Sequence, residues 1–600
     1  MVQNTLTPFD ALQRGFAAHR AGQAAEAERL YEFVIRVWPN QFDAHHLLGV
    51  LKAEGGQQGE AERHIKKALS INPRSAEALN SHANVLQHLK RYNEALATCD
   101  RALEIKPDFA EALNNRGNIL HDLGRHDEAL ASFARALTIR PGYFKALYNR
   151  GLVLQDLKRP DAAVASFDAA LASNPGHAEA WNSRGTALYG LRRLDEALAS
   201  FGKALAINPA YAEALCNRGL VLRALNRPEE ALAHFDQALA IRPHYPEALN
   251  NRGIALKDLN RVEAALAAFA EAQAQDPDNA DAHLNEGLCR LVLGDFQRGW
   301  QKYEWRWETE QQKSAKRVFS QPLWLGKEDI AGKRILLHAE QGLGDTIQFC
   351  RYARMVMARG ASVVLEVQPE LKSLMGSLGG ASIVIGWGET PPPFDLHCPL
   401  LSLPLSFNTT LDTIPDETPY LAADPNKVAT WSDRLARTRG AKIGIVWAGN
   451  PRAHLALRRR SMHLSQFAPL AQVAGVSFVS LQKGDPAEQA GSPPAGMQLI
   501  DWTKQLTDFS ETAALVEALS LVIAIDTSVA HLAGALGKPI WLLDQFEPEW
   551  RWLVEREDSP WYPTMRIFRQ PRPGDWDSAM DRVAAELACW IARRRVVELG

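Results

Sequence analysis

Two different rhythms of apolar and polar residues divide the chain. In the first half one pattern of small, apolar and polar positions recurs every 34 residues, as in AEALNNRGNILHDLGRHDEALASFARALTIRPGY (110–143) and YAEALCNRGLVLRALNRPEEALAHFDQALAIRPH (211–244). A small residue returns at Gly117, Gly151, Gly185 and Gly253, an alanine at Ala129, Ala163, Ala197 and Ala265, and a bulky partner four residues later at Phe133, Phe167, Phe201 and Phe269. Small side chains let two helices approach closely, so each period reads as a helix pair. A proline such as Pro107, Pro141 or Pro209 ends most periods and turns the chain into the next. After Trp307 the rhythm stops and a polar stretch follows (308–329). Short apolar runs then alternate with glycine turns and amphipathic segments: KRILLHAE, QGLGD, TIQFCRYARMVMARG, SVVLEV, PELKSLMGSLG and SIVIGW. A second such series opens at AKIGIVWAGN and runs through GVSFVSLQKGD and ALSLVIAIDTSVAHLAGALGKPIWLLD. This order predicts parallel sheets covered by helices.

A period of 34 residues is that of the tetratricopeptide helix–turn–helix. Eight repeats fit residues 8–279; a ninth departs from the pattern, with Gly299 for alanine and a cluster of Trp300, Trp305 and Trp307, as expected where a solenoid meets a cap. The expected organisation is a repeat superhelix over 8–310, a linker over 311–332, and two α/β halves over 333–430 and 431–600. Such an array binds a protein or peptide.

Composition narrows the class. The net charge of -3 offers no general attraction to nucleic acid or anionic lipid. No segment is apolar over ~20 residues, so no membrane span is expected, and the N-terminus lacks a secretory pattern. The six cysteines are scattered without a CxxC pair, which argues against a zinc site and fits reduced thiols in the cytoplasm.

Two positions before the small residue of the first helix, a polar residue recurs in register. It is Asn115, Asn149, Asn217, Asn251 and Asn285 in five of the repeats. An asparagine both donates and accepts, so a row on the concave face can pair with an extended peptide backbone; the alternative is that these amides bond neighbouring helices.

Three segments of the second half carry candidate chemistry. In IDTSVAHLAGALGKP a strand ends at Asp526, Thr527 and Ser528 are placed to cap a helix whose start favours a phosphate, and His531 lies one turn in. In GLGD, Gly342 and Gly344 permit a tight turn and close ligand approach, and Asp345 can take a proton from an attacking hydroxyl. In WAGNPRAHLALRRRSMHLSQF (447–467), Gly449 and Asn450 form a turn after a strand, ahead of Arg458, Arg459 and Arg460, which can neutralise a diphosphate. The plain alternatives are two helix caps and a solvated basic loop.

Together these segments resemble the heptosyltransferase-like glycosyltransferases over residues 333–570. The resemblance implies a GT-B fold of two Rossmann-like halves. It gives Asp345 the role of general base and assigns the donor nucleotide to Asp526, Thr527, Ser528, Ala530 and His531. Arg460 stands at the family's phosphate-binding lysine and Phe467 at its aromatic position, while the Trp-Pro pair between them is missing. The asparagine row is similar to that of the eukaryotic O-linked N-acetylglucosamine transferases, where it grips the acceptor polypeptide. The layout resembles a bacterial branch in which repeat arrays precede such a domain and in which some members glycosylate flagellin.

The reading is therefore a cytoplasmic, metal-independent transferase that moves a sugar from a nucleotide-sugar donor to a protein held in the repeat groove. Two alternatives stay open. One is a scaffold whose transferase domain is degenerate, and the other is a glycan-directed transferase that its repeats merely localise.

Overall fold

The computed structural model describes residues 7–450 and 459–599. Eighteen helices lie between Pro8 and Tyr303, two to each period of the sequence. The chain divides into two compact units, 1–221 and 222–600.

In the first unit the small and bulky positions meet as the period requires. A Cβ added to Gly117, Gly151 or Gly185 would fall 2.5, 2.4 or 2.7 Å from the ring of Phe133, Phe167 or Phe201, each of which is buried. Only glycine lets the helices close to that distance. The first helix of each pair ends on a residue with left-handed backbone: Gly22, Gly56, Lys90, Gly124, Lys158 and Arg192, one every 34 residues. Around Gly124 the next N–H, of Arg125, bonds back to the carbonyl of Leu120 at 2.8 Å and closes the helix end. Neighbouring repeats are joined by polar contacts 35 residues apart, among them Gln87 with Asp122 and His121 with Asp156, both at 2.7 Å.

The second unit holds the last repeats and two parallel sheets. Left-handed residues continue at Asn226, Asn260 and Gly294. The final helix, Phe296–Tyr303, is cut to eight residues. Its Trp300 is buried edge-on against Trp550, with centroids 5.2 Å apart, so the atypical last repeat shares a core with the α/β region. The stretch read as a linker is partly built into that region: Trp324 is fully buried, and its N–H bonds to the carbonyl of His397 at 2.8 Å.

The first sheet contains β1 (Arg334–His338), β2 (Ser362–Val367), β3 (Ile383–Gly386) and β4 (Leu396–Pro399) in the order β3-β2-β1-β4. The second contains β5 (Ala441–Val446), β6 (Val476–Ser480), β7 (Leu499–Asp501), β8 (Leu521–Ile525), β9 (Ile540–Asp544) and β10 (Met565–Arg569) in the order β10-β9-β8-β5-β6-β7. All pairings are parallel. Each order reverses once, between β1 and β4 and between β5 and β8, and loops at the carboxyl ends beside such reversals are where open sheets take ligands. The closing helix Trp576–Leu599 covers the second sheet with Met580, Val583 and Leu587. Among the described residues no helix is long and apolar enough to cross a membrane.

Candidate functional site

Two of the motifs legible in the sequence lie against each other at the carboxyl ends of the two sheets. QGLGD follows β1. Gly342 caps the helix Leu343–Phe349, and its N–H donates to Asp345 Oδ2 at 2.9 Å. DTSVAH follows β8, with Thr527 at the cap of the helix Ser528–Ala535. A Cβ on Gly344 would fall 2.8 Å from His531 Cδ2 and 3.5 Å from Ser528 Cα. The second glycine of GLGD therefore allows the two helix starts to touch.

His531 is buried and fixed. Its Nδ1 lies 2.9 Å from the Tyr562 hydroxyl, its ring stacks on Trp552 at 5.5 Å, and its Nε2 is 3.6 Å from Asp526 Oδ1. The other Asp526 oxygen accepts from Arg460. Burial pushes the Asp526 carboxyl up, but Arg460 and then His531 more than offset it, and the group lies below the usual carboxylate range. Asp345 Oδ1 accepts from Arg551, which also pairs with Glu549, reaches Gln348 Oε1 at 2.8 Å and stacks over Trp550 at 4.0 Å. Despite its burial, Arg551 is held charged by Asp345 and Glu549, which raise its pKa. Two guanidiniums and two carboxylates thus surround the meeting point of the motifs.

The third segment arrives beside them in part. Gly449 donates its N–H to Ser461 Oγ at 3.1 Å, and Met462 N–H reaches back to the Trp447 carbonyl at 2.7 Å, closing the loop at its base. Arg460 reaches Asp526, whereas its neighbour Arg459 turns to Asp258, Glu547 and the Arg223 carbonyl. Asn450 is the last described residue before the interval 451–458; Arg458 lies outside the described residues. Phe467 is buried in the core of the second half.

The expected hydroxyl cap is not made. Thr527 occupies the cap position without a side-chain bond, and its Oγ1 has no protein partner among the described residues. The backbone N–H groups at this helix start and a buried hydroxyl beside them are the donors an incoming phosphate requires. Beyond β6 and β7 a cavity of about 490 Å³ is lined by Lys483, Gly484, Asp501 and Thr503. Arg551, Glu549 and Gln482 went unread in the sequence. Gln482 Oε1 accepts from the N–H groups of Trp447 and Ala448, at 3.1 and 2.8 Å, and so shapes the loop after β5. No local pattern marks any of the three.

In the repeats, the asparagine row is tied between neighbours. Asn115, Asn149 and Asn217 donate through Nδ2 to Asn80, Asn114 and Asn182 at 2.9, 3.1 and 3.0 Å. Asn285 does the same to Asn250 at 3.0 Å in the second unit, where Asn251 is buried. Half of each of the four bonded amides thus joins repeats.

Family models described as tetratricopeptide repeat match residues 12–76, 74–141, 108–175, 148–212, 212–245 and 250–304. The N-terminal region is a tetratricopeptide array, a class of fold that serves protein–protein interaction. Protein FlbA of Caulobacter vibrioides is 27% identical over 326 residues, which cover 50% of this chain and 54% of that protein. The chain thus spans about half the length of the curated relative it matches. Among solved structures, YrrB, described as a TPR protein with an unusual peptide-binding site, is 30% identical, with a TM-score of 0.28, and covers 31% of this chain and 95% of its own. Pseudomonas aeruginosa pilF is 25% identical with a TM-score of 0.32, over 34% of this chain and 94% of its own.

Proposed function

We propose that the chain is a protein glycosyltransferase of GT-B type, with a nucleotide-sugar donor bound in its second unit and an acceptor polypeptide gripped by its repeats. The observation that carries this reading is the packing of GLGD against DTSVAH, with Gly344 against His531 and both motif aspartates paired to arginines. A diphosphate arriving at the helix that starts after Thr527 competes for Arg460 and Arg551, which are stronger partners for a phosphate than for a single carboxylate. Drawing Arg551 away releases Asp345, which then accepts the proton of a serine or threonine hydroxyl as that oxygen attacks the anomeric carbon. The leaving diphosphate is stabilised by the arginines and the helix start. By resemblance the reaction inverts the anomeric carbon and needs no metal, and flagellin is one acceptor to try.

The scaffold reading draws on the same ion pairs, since they already neutralise both aspartates. One experiment separates the two. Thermal shifts are recorded with ADP-, GDP-, UDP- and CMP-linked sugars and their parent nucleotides, for wild type and for an Asp526→Ala, Arg460→Ala variant. A ligand of the folded state raises its apparent stability by mass action. A shift with one nucleotide class, lost in the variant, supports the transferase; no shift with any of them refutes it.

A further inference from the structure

A second cavity, of about 350 Å³, lies beyond the carboxyl ends of β1 and β2, two residues from GLGD. It is lined by His338 and Glu340 at the end of β1, Glu366 on β2, Trp387 after β3, and Trp307 and Arg317 from the segment after the last repeat. Its volume is that of a small-molecule site. Two side chains of its wall are nine-tenths buried and incompletely bonded, each at an atom that the surrounding protein covers. The Glu340 side chain is 5% exposed; Oε1 accepts from the Leu401 N–H and from Arg306, both at 3.2 Å, while Oε2 has no protein partner among the described residues. His338 is 3% exposed; its Nε2 lies 3.3 Å from His397 Nδ1, and its Nδ1 has no partner among the described residues. Leaving such atoms unbonded is costly unless a ligand or solvent completes them.

Both arginines at the wall are already engaged by carboxylates. Glu366 pairs with Arg317, and Arg306 serves Glu304 and Glu340. An anionic ligand would have to displace a carboxylate from its arginine, whereas a neutral one with several hydroxyls leaves these pairs in place. Trp387 lines the cavity and is 44% exposed, so its indole is open to a ligand, whereas Arg306 stacks over the Trp307 ring at 4.6 Å. The negative face of an indole attracts the C–H side of a sugar ring.

We propose that this cavity binds a neutral pyranose, stacked on Trp387, with Glu340 and His338 turning Oε2 and Nδ1 toward its hydroxyls. The role of that sugar in transfer rests on the glycosyltransferase reading; the binding itself does not. The ring has two possible sources, the donor's own sugar or a glycan already on the acceptor.

The test uses the full chain. Saturation-transfer NMR is recorded with glucose, galactose, mannose and N-acetylglucosamine on wild type, Trp387→Ala, Glu340→Gln and Arg460→Ala, each checked for an unchanged circular dichroism spectrum. Nucleotides and nucleotide sugars are titrated in parallel. The expected result is that a pyranose binds wild type and Arg460→Ala alike, and that Trp387→Ala weakens it about tenfold. If the donor supplies the ring, a nucleotide sugar binds more tightly than its parent nucleotide and Trp387→Ala erases the difference. If a glycan supplies it, the free pyranose binds and the nucleotide sugar gains nothing over the nucleotide. The proposal is overturned if no pyranose binds and Trp387→Ala leaves nucleotide-sugar affinity unchanged, or if pyranose binding survives both Trp387→Ala and Glu340→Gln. Pyranose binding without any nucleotide binding would defeat the transferase reading and leave the cavity assignment standing.

Discussion

Replacing Gly344 with alanine probes the junction on which the site depends. The added methyl would lie 2.8 Å from His531 Cδ2 and 3.5 Å from Ser528 Cα. His531 cannot swing aside, because Tyr562 holds its Nδ1 at 2.9 Å and Trp552 stacks on its face. The loop or the helix has to move instead, and overpacking of this kind costs about 1–3 kcal/mol. Gly342→Ala is the control, because its methyl would meet only the Asp345 carboxylate, at 3.2 Å. Of the sixteen tryptophans, all but Trp38 and Trp181 lie in the second unit, so intrinsic fluorescence during urea unfolding reports almost entirely on that unit. Gly344→Ala is expected to lower the midpoint of that transition and to weaken nucleotide binding, with Gly342→Ala much closer to wild type. Equal midpoints for Gly344→Ala and wild type would refute the close packing of the two motifs.

Other consequences follow from particular residues. Lys158 holds a left-handed backbone at φ 56°, a conformation that glycine adopts without penalty. Lys158→Gly is therefore expected to stabilise the first unit by about 0.5–1 kcal/mol in denaturant melts followed by circular dichroism, and a loss of stability would count against the turn geometry. Glu340 is pushed up to about 7 by burial, against Arg306 and the Leu401 N–H and with Asp345 and Glu304 nearby. A carboxyl raised on folding contributes stability that is complete below its ordinary pKa and lost as pH rises through about 7. Melting temperatures between about pH 5 and 8 should therefore fall less steeply for Glu340→Gln than for wild type, and identical slopes would contradict the assignment. Alanines at Asn149 and Asn217 remove amides bonded to the preceding repeat, so they should lower the stability of the array, by about 1 kcal/mol each, as well as acceptor binding. Weakened acceptor binding with unchanged melting would show that the row serves the groove alone.

The repeats were legible because their signal is local and recurrent. A glycine and a phenylalanine sixteen residues apart, as in Gly117 and Phe133, report one helix-to-helix contact wherever they occur. The left-handed turn is equally periodic, but lysine, arginine or asparagine fills it at Lys90, Lys158, Arg192, Asn226 and Asn260, so composition hides it. In the second half, β1, β5 and β8 and the motifs that follow them were readable from apolar runs and glycine turns. The single helix expected over TIQFCRYARMVMARG is instead two, Leu343–Phe349 and Tyr352–Ala358. At the break, the Arg351 guanidinium is buried and bonds to the carbonyls of Pro415 and Trp561 and to the Tyr420 hydroxyl. Those partners are distant in the chain and leave no trace in local pattern. The same holds for Arg551, which is about 200 residues from the aspartate it pairs with. Which aspartates meet which arginines is decided by the tertiary packing of the two sheets.

Turnover of the donor shows directly whether the chain is a transferase. The full chain is incubated with each nucleotide sugar that shifts its melting temperature, and released nucleotide is measured with and without candidate acceptor protein. The proposed transfer requires release that rises with an acceptor and is lost in Asp345→Asn, a variant that keeps the shape of the side chain but cannot take the proton. Release unaffected by Asp345→Asn, or none from any nucleotide sugar that binds, would contradict it.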